Sequence, residues 1–384
     1  MVAAVRRGDS KRSVARQYGV ALSTVQLWVD RAAGKRLDRV DWSDRPSGPS
    51  VSPRRTSREK EEVVLQIRQE LKETSDLGEF GAAAIREEWL ARNLPDVPAV
   101  RTIGYILERR GALDGQQRIR RPAPPSGWYL PEVANQHAEI DLWDVIEGLV
   151  IKGGPQVEVL TVLSLHGALS GAWPTTRITA KAVREALLEH WRESGLPDYV
   201  QFDNATVFQG PHQHRDAIGS VIRLCLSLQV TPIFVPPREP GFQAAIESFN
   251  GRWQAKVRMR FHHESVPSLQ AQSAKYIAAH RGRTAQRRDT TPGRRCFPKR
   301  WKLNLQAQPQ GRIIFLRRTT GAGQVSLLGH ALEVDRKWPN RLVRCEVRFN
   351  EQVIRFYALR RRAPTDQPLL KEVPYVFPNK RFRE

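Results

Sequence analysis

The sequence predicts a multidomain chain with all-α modules at the N-terminus, an α/β core built on a mixed sheet, and a small β-barrel at the C-terminus. Three observations predict it. At 384 residues the chain suits two to four domains, each large enough to bury a core. Its apolar periodicity is helical to about residue 112, then alternates strands with helices, then gives four short strands after residue 311. Its charge changes at the same places: residues 1–127 carry net +7, residues 128–250 net −6 and residues 251–384 net +21, together the +22 of the whole chain.

The composition narrows the classes. With 40% apolar and 27% charged residues the chain is ordinary for a globular protein, which excludes wholesale disorder. A surplus of 22 positive charges repels itself unless a polyanion is near; nucleic acid is the commonest such partner and an anionic membrane surface the rival. No run of eighteen apolar residues exists, so no bilayer-spanning helix is expected, and Met1-Val-Ala-Ala-Val-Arg-Arg-Gly-Asp-Ser10 lacks a signal-peptide core. Cys225, Cys296 and Cys345 are isolated, so a reducing compartment is expected, with no disulfide framework or zinc finger.

Taken in order, residues 1–45 read as two short helices around a sharp turn. Ser10 caps a helix over 11–18, Gly19 supplies the turn, and a second helix starts at Leu22. Val14, Ala15, Val20, Val25 and Trp28 are spaced to share one core, although Ala21 stands where a Ser or Thr cap is usual. Such a helix-turn-helix would present Ser23, Thr24 and Gln26 to a DNA groove. A Pro-rich linker is predicted at 45–53 and another at 121–127. Between them, 57–118 gives three helix patterns, at 57–74, 81–93 and 97–110, a second helical module suited to DNA. In 128–265 the order is β-β-β-α-β-α-β-α: strands at 137–143, 157–165, 168–173, 199–202 and 230–235, with helices at 180–194, 216–228 and 241–257. Residues 266–308 form a basic helical linker. Strands at 311–318, 324–334, 342–349 and 353–359 form the barrel of 309–362, and 363–384 is a tail.

Three carboxylates stand out by position. Asp141 lies in the first strand, Asp203 directly follows the fourth, and Glu247 lies on the helix opened by Gly241. The first and fourth strands are expected side by side, which would converge the two aspartates and let a flanking helix aim Glu247 at the same point. Carboxylates so focused repel unless a dication is present, and hard oxygen ligands suit Mg²⁺ or Mn²⁺. Two such ions activate a nucleophilic oxygen and stabilise the leaving oxygen of a phosphodiester. Glu139, Asp144 and Glu147 compete with Asp141. Asp144, further along, is expected to be solvated. Glu239 is the weaker rival of Glu247, being placed before the Pro-Gly break.

The helix-turn-helix start, Ile140-Asp141, Phe202-Asp203-Asn204, Gln243-Ala-Ala-Ile-Glu-Ser-Phe-Asn250, His280-Arg-Gly-Arg…Thr291-Pro292 and the β-rich end together resemble the bacterial DDE transposases and retroviral-type integrases. The resemblance covers about residues 1–36 and 130–361. It implies a ribonuclease-H-like core and metal-dependent hydrolysis and strand transfer at DNA phosphodiesters. It also implies Asp141, Asp203 and Glu247 as catalytic residues and metal ligands, Asp141 being preferred because Ile140-Asp141 occupies the family's strand position. The sequence departs from the family in Asn204-Ala205, where Asn-Gly is common, and in a longer stretch between Asp203 and Glu247. Nothing matches the zinc module of retroviral integrases, which favours the transposase branch.

Expected DNA contacts beyond the N-terminal helices are Asn250, on the face of Glu247, then Arg252 and Lys256 at its flank, and Arg287, Arg288, Arg294 and Arg295 in the basic segment. Joining two element ends requires a homo-oligomer on double-stranded DNA; an ATPase helper is left unspecified and no membrane partner is expected. The place of action expected is the bacterial cytoplasm, at the nucleoid. The alternatives are a ribonuclease-H-type nuclease that cuts without joining, and a decayed transposase kept as a DNA-binding protein.

Overall fold

The computed structural model describes residues 1–43, 55–75, 80–113, 127–151, 154–211, 214–239, 241–336, 338–360 and 366–383. The linker expected at 45–53, residues 121–126 of the linker expected at 121–127, and residues 363–365 and 384 of the expected tail lie outside the described residues.

The chain divides into two units, Met1–Glu62 and Val63–Glu384. In the first, helices α1 (Val2–Arg6), α2 (Lys11–Gln17) and α3 (Leu22–Arg31) pack together. Ser10 is extended, and its hydroxyl accepts the Ser13 N–H at 3.2 Å, which satisfies one orphan donor at the start of α2. Gly19 turns the chain at φ +64°, where a Cβ would be strained. Ala21 begins α3 without a side-chain cap. The expected single core is two: Val14, Ala15 and Val25 bury with Ala4, whereas Trp28 packs on Val2, Ala32 and Val40. The unforeseen α1 is the reason, since it supplies an apolar residue to each.

Helix α4 (Arg58–Thr74) leads into the second unit, where α5 (Ala82–Ala91) and α6 (Val100–Arg109) bury Val64, Ile67, Ile85, Trp89, Ile103, Ile106 and Leu107 together. After the short α7 (Pro131–Ala134) comes the mixed sheet. Strands β1 (Ile140–Val150), β2 (Gln156–Ser164) and β3 (Ser170–Thr175) run antiparallel in sequence. Helix α8 (Ala180–Ser194), capped by Thr179 and closed by Gly195, returns the chain to β4 (Tyr199–Phe202), which lies beside β1 as expected and runs parallel to it. Next come α9 (Thr206–Gln209), α10 (Ser220–Ser227), β5 (Thr231–Phe234, parallel to β4) and α11 (Ala244–Trp253), which continues as a π-helical turn, Gln254–Arg258.

Strand alternation divides the apolar side chains between two cores. Trp143, Val200, Phe202 and Phe234 face α8 and α10, against Leu187, Trp191, Val221 and Cys225. Ile140, Leu142, Ile146, Tyr199 and Ile233 face α11 and α12 (Val266–Arg283), against Ile246, Phe249, Trp253 and Tyr276. Residues 266–308 are therefore not only a linker, because α12 covers one face of the sheet. The short α13 (Ala285–Arg288) follows it.

The separate C-terminal barrel is corrected by the strand order. Strands β6 (Arg312–Arg318), β9 (Leu342–Arg348), β10 (Val353–Ala358) and β11 (Leu369–Pro374) extend the same sheet, in the order β11-β10-β9-β6-β5-β4-β1-β2-β3. Only β7 (Gln324–Leu327) and β8 (His330–Glu333) stand apart, as a two-stranded hairpin. The join is parallel, Ile233 with Ile314 and Phe234 with Phe315. Its cause is legible in Ile313-Ile-Phe-Leu316, four consecutive buried residues, as a strand needs when both its faces are covered. Without β6, β5 would be an unpaired edge. The expected tail also contributes: β11 pairs with β10.

Candidate active site

Parallel strands place residues of equal register side by side. Leu142 pairs with Gln201. Two residues further along each strand lie Asp144 and Asp203, level with each other and on the face covered by α11. Helix α11 carries Glu247 in its first turn, exposed. The carboxyls of Asp203 and Glu247 act on that of Asp144 through their charge. Burial first, then these two neighbours, push the Asp144 carboxyl up to about 7, against the pull of the Val145 N–H and the Asn250 amide. Asp203 is also raised, by burial, although its Oδ1 accepts the Ala205 N–H at 2.9 Å.

Asp141, expected to join Asp203 and Glu247, lies outside this group. It has the parity of Trp143 and so faces α8, where it is 0% exposed. Arg294 grips it bidentately, Nη1 to Oδ1 at 2.8 Å and Nη2 to Oδ2 at 2.7 Å; the Trp191 indole donates at 3.1 Å and His190 lies at 3.6 Å. Burial would raise its carboxyl, but Arg294 and His190 outweigh that and hold it well below the ordinary carboxylate range. A cation would have to displace Arg294 to reach it. Asp144, expected to be solvated, is instead half-buried and hydrogen-bonded: Asn250 Nδ2 donates to its Oδ2 at 2.8 Å.

The donor set fits a hard dication in chemistry. It offers carboxylate oxygens that repel one another, beside Asn250 Oδ1, which is buried with no hydrogen-bond partner among the described residues. Among the described residues no three His, Cys, Asp or Glu side chains stand at metal-ligand spacing. A pH dependence follows. A folded carboxyl near 7 against an ordinary value of 3.8 makes the cation-free fold bind a proton more tightly than the unfolded chain. Its cost to stability is absent below about pH 4, grows as pH rises and is complete above about pH 7. Mg²⁺ or Mn²⁺ should therefore raise the thermal midpoint by more degrees at pH 8 than at pH 5.5. Equal shifts would show that no such carboxyl is being relieved.

The expected DNA contacts fare unequally. Ser23 is exposed and Thr24 half-buried; Gln26 is exposed but accepts from Lys11 at 2.8 Å and donates to Asp30 at 3.1 Å. Asn250 is buried against Asp144. Arg252 is exposed on α11, its Nε directed to the Ser248 carbonyl at 3.3 Å. Lys256 sits 5.0 Å from the Phe80 ring. Arg287 is exposed, whereas Arg288 donates to the Arg281 carbonyl at 2.8 Å. Arg294 is a fastener, while Arg295 is exposed and also bonded to neighbouring backbone. Arg294 holds Asp141 and the Gly195 carbonyl. Arg295 pairs its backbone with Leu196 and donates to the Gln229 carbonyl at 2.8 Å.

Sequence reasoning missed the roles of Asn204, Gln201 and Arg317. Asn204 Nδ2 donates to the Val235 carbonyl at 2.7 Å, and its Oδ1 accepts from Arg317 at 3.0 Å, tying the end of β4 to β5 and β6. The position expected to be Asn-Gly thus keeps an Asn for a structural bond, and Ala205 only opens α9.

The fold and site define a mixed α/β protein with neighbouring carboxyls within one strand, β1, and directly after the parallel strand beside it, β4. No protein-family model and no curated protein sequence matches the chain. Similar solved structures include the catalytic core domain of BIV integrase, with a TM-score of 0.29, 15% identity, and coverage of 36% of this chain and 81% of that one. Another is the simian T-cell lymphotropic virus intasome in complex with PP2A regulatory subunit B56 gamma, with a TM-score of 0.32, 13% identity, and coverage of 69% of this chain and 84% of that one. Among the described residues no helix is long and apolar enough to cross a membrane.

Proposed function

We propose that the chain is a transposase or integrase of the DDE class, cleaving and joining DNA strands with Asp144, Asp203 and Glu247 as the catalytic carboxylates. The observation that carries this reading is the level placement of Asp144 and Asp203 on β1 and β4, with the charge of Glu247 felt at the same point. The three would hold two Mg²⁺ or Mn²⁺ ions, which when bound supply Lewis-acid stabilisation and an activated oxygen nucleophile. Asn250 fixes the orientation of Asp144 by its 2.8 Å hydrogen bond. Arg252, Arg287 and Arg295, all exposed, are cations that would meet phosphates. On α3, Ser23 and Thr24 read bases in the major groove, and Gln26 does so on release from Lys11 and Asp30. The working species is a homo-oligomer on double-stranded DNA.

The test is strand transfer with labelled duplexes taken from the DNA on either side of the coding sequence, where this reading expects inverted repeats. The wild-type chain joins them to target DNA in Mg²⁺; cleavage without joined product would instead make it a nuclease. Asp203→Asn should abolish joining and leave duplex affinity unchanged, and persistence of joining in that variant would sink the assignment.

The arginines separate by salt. Log affinity for a random duplex falls with log salt by about 0.9 per phosphate contact. Arg287→Ala should lower that slope by about one unit. Arg294→Ala should leave the slope unchanged, because its guanidinium is already spent on Asp141. A slope loss in Arg294→Ala at full folding would return it to the DNA surface.

A further inference from the structure

We propose that Gln201 is a positioning residue that sets the spacing between Asp203 and Glu247; the inference rests on the carboxylate site assigned above. Gln201 is 1% exposed on β4, two residues before Asp203 and on the same face. Its Nε2 donates to the Phe242 carbonyl at 3.0 Å, and its Oε1 accepts from the Tyr129 hydroxyl. A carbonyl can only accept, so Nε2 must face Phe242; Oε1 then faces Tyr129, which must donate. Burial raises the Tyr129 phenol far above its ordinary value, so it stays a neutral donor.

Phe242 is the residue before the N-cap of α11, five positions ahead of Glu247. The chain enters it through Gly241 at φ +91°, a conformation that leaves the approach to α11 undetermined by the backbone itself. Three side chains determine it. The Phe242 ring is tilted against Trp128 at 5.6 Å and Tyr129 at 5.3 Å, and Gln201 holds its carbonyl. Trp128 and Tyr129 are themselves fixed in a turn closed by Leu130 N–H to the Gly127 carbonyl at 2.9 Å. A Cβ on Gly127, at φ +63°, would lie 2.3 Å from Val133 Cγ1. Gln201 thus joins the strand that ends in one carboxylate to the segment that launches the helix bearing another. A misplacement of about 1 Å at such a point costs on the order of 100-fold in rate.

Gln201→Met keeps the volume and removes both hydrogen bonds; Tyr129→Phe removes one and keeps the grip on Phe242. In Gln201→Met, kcat for strand transfer should fall about 10–100-fold with the KM for DNA unchanged. The apparent Kd for Mn²⁺ by titration calorimetry should rise at least about fivefold, and amide exchange across 241–247 should quicken. Tyr129→Phe should show the same changes, each smaller. Unchanged kcat and Mn²⁺ affinity in folded Gln201→Met overturns the proposal, as does a rise in KM alone, which would mark a DNA contact. If Gln201→Met does not fold, Tyr129→Phe decides on the same readouts. A wild-type chain that binds Mn²⁺ yet joins no DNA overturns the strand-transfer reading alone; the Mn²⁺ affinity and amide exchange of the variants then still decide the role of Gln201.

Discussion

Asp144→Asn is expected to abolish strand transfer, by at least about a thousandfold, while making the cation-free protein more stable at pH 8. The rate loss corresponds to about 4 kcal/mol of transition-state stabilisation, the scale a bound catalytic cation supplies. The stability gain has a separate cause. At pH 8 the wild-type carboxyl is held ionised against burial and against Asp203 and Glu247, which push it up to about 7. An amide of the same shape removes that penalty and can still meet Asn250. The gain should shrink as pH falls toward 4, where the wild-type carboxyl is protonated and neutral too. Mg²⁺ should no longer raise the thermal midpoint of the variant. Thermal unfolding with and without Mg²⁺, beside the strand-transfer assay, checks all of this. An active Asp144→Asn would remove Asp144 from the site.

Asp141→Asn is expected to do nearly the reverse. It leaves the Arg294 guanidinium buried against a neutral amide, and breaking a buried pair from one side costs about 3–5 kcal/mol. In a unit of this size that lowers the thermal midpoint by roughly 4–7 °C. Strand transfer measured well below the midpoint should persist. The sign with pH also differs. Because Arg294 depresses the Asp141 carboxyl, the pair stabilises the fold above about pH 4 and loses that contribution as pH falls through the depressed value. Acid should therefore narrow the stability gap between wild type and Asp141→Asn. Arg294→Ala should cost about as much, and the apolar pair Asp141→Leu with Arg294→Met should restore much of the loss. If Asp141→Asn were inactive at full stability while Asp144→Asn remained active, the two aspartates would exchange roles.

Much of the core was legible in the sequence because it depends on local signals. The β-β-β-α-β order, and Ser10 and Gly19 in the N-terminal unit, are propensity and capping effects acting over a few residues. The C-terminal strands were legible one by one, but their partner was not. Pairing of β6 with β5 joins residues about eighty positions apart, and only the unbroken run Ile313-Ile-Phe-Leu316 hinted that both faces would be covered. A short apolar run fits a barrel strand and a central strand alike.

The two aspartates of β1 divide what the sequence determined from what the tertiary structure decided. Strand alternation alone puts Asp141 and Asp144 on opposite faces, because they are three positions apart and the side-chain period is two. The sequence also places Asp203 directly after β4 and Glu247 on a helix. Which face α11 would cover, and in which register β4 would lie beside β1, depended on contacts between distant segments. Those contacts set Asp144 level with Asp203 and gave Asp141 to Arg294, 153 positions away. On the face of α8 the carboxylate meets the buried guanidinium of Arg294; on the face of α11 it lies beside Asp203 and Glu247, so face selection set both environments.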